Sequence, residues 1–254
     1  RPRMTGDLLV GAKANPPTVV FDESDVRRLE ALHDGEISQH DHYFGRFLAK
    51  LEELGLAEDT LIVVVSDHGE EFNDHGSWGH GHSVYQELLH VPLMFRLPGR
   101  IPGNVRVPHA VGTVNIAATV TDFLGVPGMP TQQGTSLANH MLGVNAPGPR
   151  VAFSDFQDER RVITAGRWKF ILRGNLTSTL FDLQADPRER QQLPAGQSPI
   201  AARFCRVMLS QFLGSTDRGN WTSSHQGRGT QLEQSNAVMD DEIQGQLRAL
   251  GYVQ

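Results

Sequence analysis

The residues of this chain best suited to chemistry stand together at the end of one apolar run. Leu61, Ile62, Val63, Val64 and Val65 lead into Ser66-Asp67-His68-Gly69-Glu70-Glu71, and His75, His80 and His82 follow, each beside a glycine. Asp67 offers a hard oxygen and His68 an imidazole nitrogen, and neighbours at a strand end can both reach one cation. An unbroken apolar run reads as a buried parallel strand, here over 60–66, and ligand crevices form at the carboxyl ends of such strands. Gly69 then lets the chain turn away tightly. The competing reading is that Asp67 caps the turn with its carboxylate while His68 merely fills the crevice.

Other polar residues carry weaker signals. Glu70 and Glu71 could orient His68 from behind, but two consecutive acids after a turn read first as a solvated loop pair. His75, in Asn73-Asp-His-Gly76, reads first as a surface residue. Glu87, in a short helical run over 85–90, could brace the histidine loop. Lys169 alternates with Trp168 and Phe170 on a strand and is given no functional role. Cys205, the only cysteine, sits among Phe204, Val207, Met208 and Phe212 at helical spacing and reads as a small packing residue. Asn175-Leu-Thr177 and Asn220-Trp-Thr222 match the glycosylation pattern, which chance produces often.

Positioning these groups requires an α/β body. A helix should begin near Asp22 or Ser24, both good N-caps. Phe44, Phe47, Leu48 and Leu51 fall at helical spacing and should pack on the sheet, with a break or close approach allowed at Gly35. A second strand is expected over 92–97, closed by Pro98-Gly99. Ile116, Val120, Phe123 and Leu124 make an amphipathic helix ending at Gly125. Residues 125–149, rich in Pro and Gly, read as a surface linker. Strands near 151–154, 168–172 and 179–183 are spaced for an antiparallel sheet, helices over 199–213 and 239–250 would cover it, and the polar stretch 215–234 reads as a mobile loop.

Several of these motifs occur in one order that resembles the sulfatase branch of the alkaline-phosphatase superfamily. The resemblance is carried by Asp59–Pro98, with its Asp67-His68-Gly69, His80-Gly-His82 and Val91-Pro-Leu93. It extends upstream through Leu32–Ser38 and Leu54-Gly-Leu56, and downstream through Val114–Val126, Gly134–Leu137, Arg167–Phe170 and Leu180–Pro187. It implies an α/β fold: part of an alkaline-phosphatase-like sheet sandwiched by helices over residues 1–145, then a small α+β domain with an antiparallel sheet over 146–254. It also implies that Asp67 and His68 complete the coordination of a divalent cation. Calcium is the first expectation, while His68, where many sulfatases carry Asn, brings manganese and zinc into range.

The reaction so implied is hydrolysis of a sulfuric ester. A histidine would protonate the departing oxygen, which would otherwise leave as an alkoxide or phenoxide. His80 and His82 flank the matching position, His80 being chosen ahead of His82, with the other contacting substrate. The Cys/Ser-X-Pro-X-Arg run that supplies the family's nucleophile, and its partner acidic pair, do not occur in this chain, so the chain reads as the later portion of a sulfatase-like protein and is expected to be inactive alone. Its partners would be a sulfate-ester small molecule or glycan and the missing amino-terminal half or another chain. Two alternatives stand beside it: a phosphodiesterase or phosphonate-ester hydrolase of the same superfamily, and a non-catalytic binding scaffold. A periplasmic or extracellular setting is suggested by the resemblance only.

Composition agrees. A chain of 254 residues, 39% hydrophobic and 20% charged, can bury one large core or a medium and a small one. A net charge of -6 argues against nucleic acid, which needs a basic face. No apolar run is long enough to span a membrane. A lone cysteine excludes an internal disulfide.

Overall fold

The computed structural model describes residues 11–13, 17–128, 132, 134–144, 151–157, 160–174, 177–194 and 197–215. A long helix, α1 (Glu23–Glu53), opens the body. Asp22 caps it, accepting from Ser24 and Asp25 N–H, while the Asp25 side chain accepts from the Asp22 N–H, a reciprocal box that satisfies donors the first turn would leave orphaned. The helix runs straight through Gly35, where a side chain would meet nothing.

Strand β1 (Ile62–Val65) follows and pairs with β4 (Leu93–Arg96) in antiparallel register, Ile62 opposite Arg96 and Val65 opposite Leu93. This corrects the expected parallel strand: the described partner of β1 is antiparallel, because the chain between them folds back through a compact loop rather than a crossover helix. That loop holds the two-residue strands β2 (Glu71–Phe72) and β3 (Trp78–Gly79), paired with each other, and the single turn α2 (Gln86–Leu89). α3 (Asn115–Leu124) stops at Gly125, whose φ of 67° provides the left-handed cap. The region read as a surface linker instead contains α4 (Ala138–Met141), with Leu137, Ala138 and Met141 buried against Leu97 and Phe123. The apolar spacing there was too short to stand out among the Pro and Gly around it.

The second layer is a four-stranded antiparallel meander, β5 (Val151–Phe156), β6 (Arg160–Ala165), β7 (Trp168–Arg173) and β8 (Thr177–Asp182), backed by α5 (Pro199–Ser215). Strand β6 went unread because its first residues, Arg160 and Arg161, mask the alternation that begins at Val162. One sheet face packs Ile163, Phe170 and Leu180 on Cys205 and Leu209 of α5. The other packs Val162, Ile171 and Phe181 on Val84, Tyr85 and Leu89 of the body. The expected helix over 239–250, the loop beyond Ser215, and Asn175 and Asn220 lie outside the described residues. No helix among the described residues is long and apolar enough to cross a membrane.

Candidate active site

The turn after β1 is set by a backbone contact. Gly69 donates its N–H to Leu88 O at 3.0 Å, and a Cβ at Gly69 would stand 1.9 Å from the Glu87 carbonyl oxygen. Glycine allows the tight turn expected here through close approach of two backbones rather than through a left-handed conformation, since its φ is not positive. Ser66 Oγ donates to His68 O at 2.6 Å and fixes the same turn.

On this turn the Asp67 carboxylate is largely exposed and lies 3.8 Å from His68 Nε2. His68 Nδ1 is 2.8 Å from the Gly69 carbonyl. A carbonyl only accepts, so Nδ1 carries the proton and, in the neutral ring, Nε2 carries the lone pair. Asp67 also accepts from the His68 N–H at 3.0 Å, so the turn-capping and ligand readings describe two oxygens of one carboxylate.

The histidine loop folds back over this turn. The His80 ring lies 3.9 Å from the His68 ring between centroids, and its Nδ1 is 2.7 Å from Glu70 Oε1. Potential ligand atoms of His68, Glu70 and His80 all fall within 4.8 Å of one another. Gly79 and Gly81, on either side of His80, have φ of 70° and 77°, conformations that side-chain-bearing residues rarely take. The glycines that flank the histidine are what let the loop reverse twice within three residues.

His82 is held differently. Its Nε2 is 2.7 Å from Glu71 Oε2 and its Nδ1 is 3.1 Å from His80 O. Both nitrogens are thus engaged by the protein. Glu71, read from sequence as solvated, is 1% exposed, and its other oxygen accepts from the N–H groups of His75 and Ser77 at 2.9 and 2.8 Å. Burial alone would raise this carboxyl, but the bond from His82 and the two backbone donors together hold it below the usual carboxylate range. Glu70 is likewise bonded rather than solvated.

His75 also departs from its surface reading. It is half-buried, stacked on Tyr85 at 3.7 Å and 8°, with Nδ1 2.6 Å from Glu87 Oε1 and Nε2 3.1 Å from Glu189 O. Glu87 therefore does brace the loop. Behind it lies an ion pair that sequence reading missed. Lys169 and Glu189, both with fully buried side chains, sit 2.8 and 2.9 Å apart at the two carboxylate oxygens, and Glu189 Oε2 also accepts the Gln86 N–H at 2.6 Å. Burial pushes Lys169 down and Glu189 up from their ordinary values, and their mutual attraction opposes both shifts. Glu189 holds φ 53°, a left-handed conformation maintained by these bonds. Its place in Asp186-Pro-Arg-Glu189 gave no local signal. Lys169 gave one: it shares its strand face with Ile171, so that face is as apolar as the other. Cys205 is buried as read, its thiol pushed up to about 11 by burial alone, which makes it an inert packing group.

The arrangement is thus a carboxylate and two imidazoles converging on one turn, with a second carboxylate orienting one ring. Imidazole nitrogen and carboxylate oxygen together suit a divalent transition-type ion, or a proton shuttle beside one.

Similarity to known proteins covers the same part of the chain. Residues 13–126 match the sulfatase family. Arylsulfatase K of Mus musculus is 29% identical over 184 residues, covering 66% of this chain and 33% of that protein. The multifunctional alkaline phosphatase superfamily protein PehA of Trinickia caryophylli is 28% identical over 250 residues, covering 87% of this chain and 48% of its own length. Among solved structures, the phosphonate monoester hydrolase SpPMH from Silicibacter pomeroyi superposes with a TM-score of 0.66 at 26% identity, over 83% of this chain and 47% of that one. The chain spans a third to a half of these relatives' lengths. Residues 13–126, which hold the turn and all three histidines of the loop, are similar to the sulfatase family.

Proposed function

We propose that the protein carrying this chain is a metal-dependent hydrolase of sulfuric esters, and that this chain supplies part of its metal site and its proton donor. The observation that carries the reading is the convergence of His68, Glu70 and His80 within 4.8 Å beside the Asp67 carboxylate, on a segment that matches the sulfatase family. Asp67 and His68 would hold the ion, which when bound screens the charged ester oxygens and draws electrons from the bond being broken. The donor set, with imidazole nitrogen beside carboxylate oxygen, favours manganese or zinc over the all-oxygen shell of calcium expected from the resemblance.

The proton donor is His80. Glu70 accepts from its Nδ1, which fixes the ring and directs Nε2 away from that bond, in the manner of a carboxylate orienting an imidazole. His82 is less suited, because Glu71 and the His80 carbonyl occupy both of its nitrogens. It anchors the loop instead. This reading takes the attacking group from elsewhere in the protein, because no Cys/Ser-X-Pro-X-Arg run occurs in this chain and its only cysteine is buried in the small sheet's core, and the chain by itself should not turn over an aryl sulfate.

A second reading, hydrolysis of phosphonate or phosphate diesters, draws support from the similarity to the phosphonate monoester hydrolase and to the multifunctional protein named above. The test is made on the full-length protein, with elemental metal content and turnover measured for wild type, Asp67→Ala and His80→Ala on matched aryl sulfates and phosphonates. Asp67→Ala should lose metal and turnover together. His80→Ala should keep the metal and lose turnover most for poor leaving groups. Metal retained in Asp67→Ala would defeat the ligand assignment, metal lost in His80→Ala would make His80 a ligand, and a preference for phosphonates would select the second reading.

A further inference from the structure

The face of the small sheet that packs on the body carries more positive charge than its surroundings neutralise. Val162, Ile171 and Phe181 point to Val84 and Tyr85, so by the two-residue alternation of a strand Arg160 and Arg173 lie on that same face. They are register partners across β6 and β7. Like charges directly opposite one another in an antiparallel pair are destabilising. Among the described residues neither arginine has a carboxylate partner, unlike Lys169 on the same face, which pairs with Glu189.

Both arginines touch the histidine loop. Arg160 Nη1 donates to the carbonyl of His82, and its guanidinium lies 5.7 Å over the Phe156 ring. Arg173 Nη2 donates to the Tyr85 hydroxyl at 3.2 Å. Each contact uses one of the five N–H donors of a guanidinium. The remaining donors of each guanidinium form a planar fork, partly solvent-accessible, on register partners of two adjacent strands that touch the loop presenting His80 and its end at Tyr85. Paired forks of this kind match the oxygens of sulfate, phosphate or carboxylate, and an anion held between them would remove the repulsion that the bare pair suffers.

We propose that Arg160 and Arg173 form an oxyanion subsite beside the histidine loop, which takes a second anionic group of the substrate, distinct from the ester that is cleaved. The proposal rests on the reading of the His68–His80 turn as the place where the ester binds, and it narrows the substrate class to esters bearing a further sulfate, phosphate or carboxylate.

Two measurements on the full-length protein test it. The first titrates inorganic sulfate into chelator-treated protein, so that no metal competes for the anion, and follows the Arg160 and Arg173 side-chain N–H signals by NMR. A saturable shift of both is expected, weakened roughly tenfold or more in Arg173→Gln and unchanged in Arg27→Gln, which removes the same charge from the exposed face of α1. Arg173 is exposed, so its variant keeps the test clear of misfolding if Arg160→Gln disturbs the loop. No saturable shift, or equal binding in wild type and Arg173→Gln, overturns the subsite. The second compares KM for an aryl sulfate with that for a sulfate ester carrying an extra carboxylate or sulfate. Arg173→Gln should raise KM for the doubly anionic ester by roughly tenfold more than for the other, and an equal change for both overturns the proposal. If no ester of either kind is hydrolysed, the hydrolase reading fails while the sulfate titration still decides the subsite.

Discussion

The pair β1/β4 and the meander β5–β8 are built from similarly apolar strands, yet they are buried to very different extents. In the meander Ile163 and Ile171 are 0% exposed, with Val162 and Phe170 at 1%. In the pair only Ile62 is buried, while Val65 is 42% and Met94 56% exposed. The meander is covered on one face by α5 and on the other by the histidine loop. The pair is flanked by α1, which buries none of its residues. Phe47, expected from its spacing to pack on the sheet, is 51% exposed, and Phe44 and Leu48 line a cleft of about 740 Å³ with Ile62, Val64, Leu93 and Phe95. The lesson is that helical and strand periodicity mark which face is apolar, whereas burial depends on what stands opposite. The relatives, about twice as long as this chain, contain more chain with which to fill such a cleft.

The junction between the two regions is where a single change should do most damage. Gly69→Ala would place a methyl inside the Glu87 backbone, forcing the turn and α2 apart. Its cost should exceed the roughly 4–5 kcal/mol that marks exceptional substitutions, read as loss of the cooperative urea transition together with metal binding. If Gly69→Ala folds with wild-type stability, the backbone contact does not exist as described.

Lys169→Met comes next. It leaves the Glu189 carboxylate buried without its cation, a loss of about 3–5 kcal/mol measurable by urea denaturation. Adding Glu189→Leu should recover much of this, because replacing both charges by apolar groups is close to neutral in many proteins. Failure of the double variant to recover would show that the Gln86 N–H bond to Glu189, not the ion pair, holds the junction.

The contrast between sheets is tested directly by Ile163→Ala against Met94→Ala. The first empties a fully buried site and should cost about 2–5 kcal/mol. The second trims an exposed side chain and should stay within about 0.5 kcal/mol. Equal effects would mean that the β1/β4 face is covered after all.

Glu71 provides a subtler pH test. Its carboxyl is held low in the folded protein, despite burial, by bonds from His82, Ser77 and His75. The unfolded chain therefore binds a proton first as pH falls, and stability rises with pH through that window. The Glu71 contribution is fully present above the unfolded carboxyl value and fades as pH drops through the folded one. In Glu71→Gln this part of the acid dependence should flatten, with a loss of about 1–3 kcal/mol at neutral pH from the altered bonds. An unchanged acid limb would place the pH dependence on other carboxylates.

Much of this architecture was legible from residue order because its signals are local. Asp22 announces a capped helix, Gly125 announces the end of another, and a valine run closed by Asp-His announces a strand that delivers ligand-type side chains to a turn. Cys205 announced itself by the large apolar residues at helical spacing around it. The candidate site was half legible for the same reason. Asp67, His68, His80 and His82 are recognisable as ligand-type groups near one turn, but their separate tasks are not, since spacing along a loop with two left-handed glycines says little about direction.

What residue order determined by itself was the inventory: which side chains can bind a cation or move a proton, and which strand and loop carry them. What only the tertiary structure decided was the pairing. Glu70 orients His80, Glu71 anchors His82, Glu87 clasps His75, and Lys169 meets Glu189 from residues 20 apart. Each pairing depends on a carboxylate being drawn out of water, and the cost of that desolvation is met only by a partner that the fold brings from elsewhere in the chain. Such a cost leaves no periodic trace in the sequence, because water satisfies the same carboxylate equally well until the chain has closed around it.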